Sequence, residues 1–352
     1  MVSHRFPTAS FLLRPVFSVG EQSFDWADVV IAAASRGEWS IVEAETREGL
    51  AAVRWADGAG EWPAAAAVEA RAEAFRRDRD LLSAEDLEAW LAGNQLSLDE
   101  WSDHLLRSEL RHALADRIHG VLAAWPPAEG DVDATILPEA LCSGRLALFA
   151  DTLAGHVAVD RSAATAAEST GDDPAVEHRR PGPLRILPPA DLAARAARLA
   201  RVGRAYELII RHAVTPRAMR RQSELHQLEW TRVDAQEIVF RARSMAQEAA
   251  LCLREEGLSF DAVAARAGEP ITRSRHFVGE IPAGARSALL GSAAGDVLGP
   301  LAFAGDWRLV RVLDKQPPRV EDPEVGELAR RGAVAQLVDR ERAARVRWQW
   351  RR

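Results

Sequence analysis

Side chains with chemical potential are scattered through this 352-residue sequence, and most of their groupings lead nowhere. His104, His112 and His119 fall near one face of a helical pattern. Their spacings of eight and seven residues exceed the i, i+4 step at which a helix offers two ligands to one metal, so they read as solvated. The acid pairs Glu85-Asp86 and Asp99-Glu100 follow serines at helix starts, where carboxylates complement the helix dipole. Gly291, Gly295 and Gly299 repeat every four residues, but no strand precedes and no helix follows them as in a phosphate loop, so turn chemistry accounts for them. Cys142 and Cys252 sit in apolar helical patterns and read as small hydrophobes. Nothing in these patterns asks for a metal or a cofactor.

The positioning elements come next. Apolar residues make up 47% of the chain, enough for two or three cores. A net charge of −7 argues against a general binder of nucleic acid or anionic membrane, and no apolar run approaches a membrane span. The run Phe11–Leu13, cut by Arg14 and Pro15, is too short for a secretory core, so cytoplasmic residence is the expectation.

Residues 1–62 read as a small α+β element. Extended runs are expected at Phe11–Val19, Ser40–Ala44 and Ala51–Trp55, with a helix over Asp25–Ala34 capped by Ser23. Residues 63–159 read as helical, with Ser83 and Ser97 as caps, Gly93 as a stop, a long helix onward from Ser97 to about Leu122, and another from Pro138 to Val159. Residues 160–183 hold almost no large apolar side chain and read as a linker. Two helices follow in 184–226, the second opened by Thr215-Pro216.

Residues 227–318 read as a compact β-α-α-β-α-β domain: a strand at Leu228–Val233, a helix from Ala235 to Glu256 stopped by Gly257, a short helix over Phe260–Ala267, a strand at Ile271–Ile281, a short helix, and a strand at Trp307–Leu313. Residues 319–352 read as a basic tail helix, with eight arginines against three acids from Glu327 onward and with Trp348 and Trp350 near its end.

The phrases Gly257-Leu258-Ser259-Phe260-Asp261-Ala262-Val263-Ala264, Gly295-Asp296-Val297-Leu298-Gly299-Pro300-Leu301 and Trp307-Arg308-Leu309-Val310-Arg311-Val312 resemble, in order and spacing over about 225–315, the parvulin-type (PpiC-like) peptidyl-prolyl isomerases. The helices at 63–122 and 190–226, with Ala213-Val214-Thr215-Pro216, look like the chaperone arms of SurA-type foldases. The combination is also similar to parvulin-like proteins encoded beside ribosomally made peptide precursors in bacterial maturation clusters. The resemblance implies an α+β, predominantly helical fold, with helical chaperone-like arms and a C-terminal parvulin-like domain.

It also implies a peptide or unfolded polypeptide as partner and prolyl isomerisation as activity, with no cofactor. The hairpin position at which parvulins carry a histidine is Arg308, Glu229-Trp230-Thr231 stands where a second is expected, and no cysteine lies between Ser259 and Ser287. Twisting a prolyl amide needs only an apolar grip and a donor near the freed lone pair. Arg308 is the candidate donor. Trp230, Phe277, Leu289, Leu290, Phe303 and Trp307 are candidates for the grip, and for Phe277, Leu289 and Trp307 plain core packing is the alternative. A second reading has a catalytically silent domain that presents a peptide to modifying enzymes.

Overall fold

The computed structural model describes residues 8–160, 181–303 and 305–350. Nearly all of the segment expected to act as a linker, 160–183, lies outside the described residues. The chain forms two compact units, one comprising residues up to Ile209 and again from Leu337, the other Ile210–Gln336. The architecture is α+β and predominantly helical, with two small antiparallel sheets. Among the described residues no helix is long and apolar enough to cross a membrane.

The first unit opens with α1 (Thr8–Leu12) and a hairpin of β1 (Pro15–Val19) and β2 (Gln22–Asp25). Asp25, not Ser23, caps α2 (Trp26–Ser35): its carboxylate accepts from the Asp28 amide, and Asp28 accepts in return from the Asp25 amide. Next comes α3 (Trp39–Ala59), which absorbs Ser40–Ala44 and Ala51–Trp55 and so corrects the expectation of strands there. Its buried residues Trp39, Val42, Thr46, Gly49, Ala52 and Ala56 recur at three and four, the helical period, which short apolar windows had masked.

Then follow α4 (Ala65–Asp78), α5 (Ala84–Gly93), α6 (Leu98–Ala113), α7 (Ile118–Ala124), α8 (Glu129–Cys142), α9 (Arg145–Val159) and α10 (Pro189–Ala213). Ser83 and Ser97 form the expected capping boxes with Asp86 and Glu100. The long helix expected after Ser97 breaks near Leu114 into α6 and α7. The one expected from Pro138 is two helices: Pro138 lies inside α8, and Gly144, at φ +77°, separates α8 from α9.

The second unit contains α11 (Pro216–Leu225), β3 (Arg232–Phe240), α12 (Arg243–Arg254), α13 (Phe260–Ala267), β4 (Ile271–Phe277), α14 (Ala283–Gly291), β5 (Val297–Phe303), β6 (Asp306–Gln316) and the first part of α15 (Pro323–Arg345). Its sheet has the order β4-β3-β6-β5 and is antiparallel throughout. Two expectations are corrected. The first strand spans Arg232–Phe240 rather than Leu228–Val233, so the following helix starts at Arg243, not Ala235. The glycine-proline phrase is itself a strand, which makes the order β-α-α-β-α-β-β.

After α15 the chain returns to the first unit as β7 (Val346–Trp348), pairing with β1 to complete a β2-β1-β7 sheet. Trp348 therefore lies on a strand, not on the tail helix.

Candidate functional site

Successive residues of a strand point to opposite faces, and this rule sorts the second unit into two layers. One face of the sheet presents Ile238, Phe240 and Leu309 to Ala246, Ala249, Ala250 and Cys252 of α12 and to Phe260, Val263 and Ala264 of α13. The other presents Val233, Ala235, Val310 and Val312 to Ala285 and Leu289 of α14. Leu290, Leu298, Leu301 and Phe303 pack at the margin of this second cluster and are only half-buried. The α14 face is thus covered in part, and beyond the covered part its strands carry polar side chains.

Those polar side chains form one network around a carboxylate. Glu237, on β3, is 4% exposed. Arg308 of β6 donates Nη1–H to Glu237 Oε2 at 2.8 Å, Ser274 Oγ of β4 donates to Oε1, and His276 Nε2 stands 3.7 Å from the same oxygen. The guanidinium of Arg308 lies over the Phe303 ring, 4.2 Å from its centroid. Its Nε is buried with no hydrogen-bond partner. A buried donor without an acceptor costs about 1–3 kcal/mol, so a carbonyl oxygen brought to it would recover a bond that the free protein lacks.

The hairpin that carries this network depends on close backbone approach. Gly299 has φ +129°, and a Cβ built there would meet the Arg308 carbonyl oxygen at 2.6 Å and Leu309 Cδ2 at 2.8 Å. Only glycine lets β5 lie this close to β6 at that point.

Of the seven residues singled out in the sequence, the structure gathers Leu289, Leu290, Phe303 and Arg308 on the α14 face. The other three lie elsewhere. Trp307 points through the opposite side of the sheet, where it packs on the α12–α13 cluster beneath Arg243, so Trp307 and Arg308 cannot line one pocket. Phe277 ends β4 opposite Arg232, whose guanidinium sits 4.9 Å from its ring centroid, and lines a cavity of about 570 Å³ with His276, Glu280 and Leu328. Trp230 precedes β3, in a turn where it stacks on His226 at 4.7 Å, and borders a separate cavity of about 390 Å³ with Arg232, Pro317 and Pro318.

Leu289 and Leu290 play different parts although they are adjacent. Leu289 is 2% exposed and belongs to the core, whereas Leu290 stands at its margin. Leu289→Ala is expected to lower stability by roughly 2–3 kcal/mol in denaturant unfolding, through lost burial and the cavity left behind. Leu290→Ala is expected to cost less than half as much in the same experiment.

Glu237, Ser274 and His276 were not singled out in the sequence. Their common face follows only once β3 is placed at 232–240, which also replaces Glu229-Trp230-Thr231 with Glu237 as the first-strand group nearest Arg308. The three histidines expected to be solvated do not behave alike. His104 is buried, with Nδ1 2.7 Å from Glu139 of α8. Among the described residues there is no cluster of three or more His, Cys, Asp or Glu suited to a metal.

No protein-family model matches the chain, and no curated protein matches it. Among solved structures it is similar to PrsA from Bacillus subtilis, at 14% identity and a TM-score of 0.21, over 62% of this chain and 88% of that one.

Proposed function

We propose that the α14 face of the second unit binds an extended polypeptide segment and eases rotation about a prolyl bond within it. The observation that carries this reading is the juxtaposition of half-buried Leu290, Leu301 and Phe303 with an arginine that is held in place yet has an unused buried donor. Rotation about the amide faces a barrier of about 18–20 kcal/mol because the twisted state loses resonance. Apolar side chains that take the proline ring out of water, together with an N–H aimed at the group that gains electron density, favour the twist without a nucleophile or metal. The resemblance of the closing domain to parvulins points the same way and suggests a ribosomally made precursor as the polypeptide, with cytoplasmic residence as part of the same reading.

One observation favours a second reading. Arg308 already gives Nη1 to Glu237, so part of its hydrogen-bonding capacity is committed before any ligand arrives. On this reading the face holds a chain without twisting it and presents it to peptide-modifying enzymes.

A proline-switch assay on short peptides separates the two. Under the first reading the protein accelerates cis–trans exchange, and both Phe303→Ala and Arg308→Ala abolish the acceleration. Phe303→Ala also weakens binding about tenfold, the value of losing one buried aromatic contact. Binding without acceleration establishes the scaffold, and absence of both overturns the assignment of this face.

A further inference from the structure

The charge state of the face leads to a statement about which chains it accepts. An unpaired arginine beside an apolar groove is a receptor for carboxylates and phosphates, because its planar fork offers two parallel N–H donors to an anion. Arg308 is not in that condition. Nη1 is bonded to Glu237 and Phe303 lies over the plane of the guanidinium, so part of its donor set is committed before a ligand arrives. The Glu237 carboxylate is itself buried and lies against Arg308, so an incoming anion meets a neutral pair.

Two other cations at α14 are engaged with backbone carbonyls. The Lys315 ammonium donates to the Leu290 and Ser292 carbonyls, where it answers the negative end of α14, and Arg286 donates to the Ile281 and Gly279 carbonyls.

Building on the peptide-binding reading above, we propose that Glu237 is a specificity-determining positioning residue. It pins Arg308 and cancels its charge, so that the face accepts a polypeptide with an uncharged residue before the proline and disfavours an acidic one. Ser274 holds the carboxylate from the β4 side, and His276 Nε2 stands 3.7 Å from the same oxygen. Arg308 then meets its ligand as a single donor to a neutral backbone carbonyl.

The test compares two short fluorescent peptides, identical except for Ala or Glu immediately before a single proline, by anisotropy titration against the full chain. The wild type is expected to bind the Ala peptide more tightly. In Glu237→Gln the cation is uncompensated, and the Glu peptide is expected to gain about tenfold relative to the Ala peptide, the scale of one charge-assisted hydrogen bond. Glu237→Asp keeps the charge and is expected to keep the wild-type preference. A gain of affinity for an acidic ligand is something that loss of structure does not produce.

Wild-type preference for the Glu peptide, or an unchanged ratio in a folded Glu237→Gln protein, overturns the proposal. If Glu237→Gln fails to fold, the wild-type ratio and that of Glu237→Asp decide. Binding that Phe303→Ala leaves untouched places the peptide elsewhere; that outcome defeats the site assignment itself and this inference with it.

Discussion

Replacing Arg107 with alanine is expected to destabilise the first unit by about 3–5 kcal/mol in urea unfolding, among the largest effects of any single substitution in the chain. Arg107 (α6) and Glu139 (α8) are both buried and hydrogen-bonded to each other, and His104 holds the second carboxylate oxygen at 2.7 Å. Gly49 of α3 makes room for them: a Cβ there would stand 3.1 Å from Arg107 Cβ. Burial alone would raise the Glu139 pKa, but the hydrogen bonds and charges of His104 and Arg107 outweigh it and hold the group below the ordinary glutamate range.

Removing Arg107 therefore strands a buried carboxylate with half its partners. Because the folded-state pKa is depressed, the network contributes its stability above the glutamate value of the unfolded chain. That contribution is lost as pH falls through the lower folded value. The Arg107→Met/Glu139→Leu double variant is expected to recover only part of the loss, since it removes the stranded carboxylate but leaves buried His104 without its partner. A cost below about 1 kcal/mol for Arg107→Ala would show that water reaches the carboxylate and that the network is not a closed one.

Trp350→Ala is expected to cost about 3–5 kcal/mol in the same unit, as for other large aromatic residues removed from a core. Trp350 is 8% exposed, meets Trp26 edge-on with ring centroids 5.1 Å apart, and donates its indole N–H to Asn94 Oδ1 at 3.1 Å. Its backbone amide donates to the Val16 carbonyl. Asn94 is the chain's one asparagine and is 2% exposed, so the substitution opens a cavity and also orphans a buried acceptor. Trp350→Phe is expected to keep most of the packing and to lose about 1 kcal/mol for the missing hydrogen bond. Thermal unfolding of the three proteins checks the order wild type, Phe, Ala.

Local signals explain what could be read from the residues alone. The serine caps at Ser83 and Ser97 act within one helical turn, and so were legible as short phrases. The short helix over Phe260–Ala267 was legible for the same reason, and it ends on left-handed Gly268. The strand at Arg232–Phe240 was not. Val233, Ala235, Ile238 and Phe240 are buried on both faces of a central strand, so their spacing mixes the two periods and passes for a helix.

That single misplacement hid the most informative residue of the site. Glu237 is a carboxylate between Ala235 and Val239 on a buried face, and it stands out only in the correct register. Phe303 and Arg308 could be found because they follow the glycine-proline phrase, and Leu289 and Leu290 because they stand on the short helix before it. Trp307 was grouped with them because adjacency in sequence ignores the alternation of sides along a strand. His104 was missed because its partner Glu139 is thirty-five residues away, beyond any local pattern.

The return of β7 to β1 bears on the order in which the chain acquires structure. The second unit is one unbroken stretch, Ile210–Gln336, whereas the first is finished only by residues from Leu337 onward. On the ribosome, which delivers the chain from its N-terminus, the later-encoded sheet has all of its strands before the earlier one receives its third. Until Trp350 arrives, Trp26 and Asn94 lack the partner that covers them in the finished protein. The nascent first unit is therefore the part of the molecule exposed longest to aggregation and to chaperones.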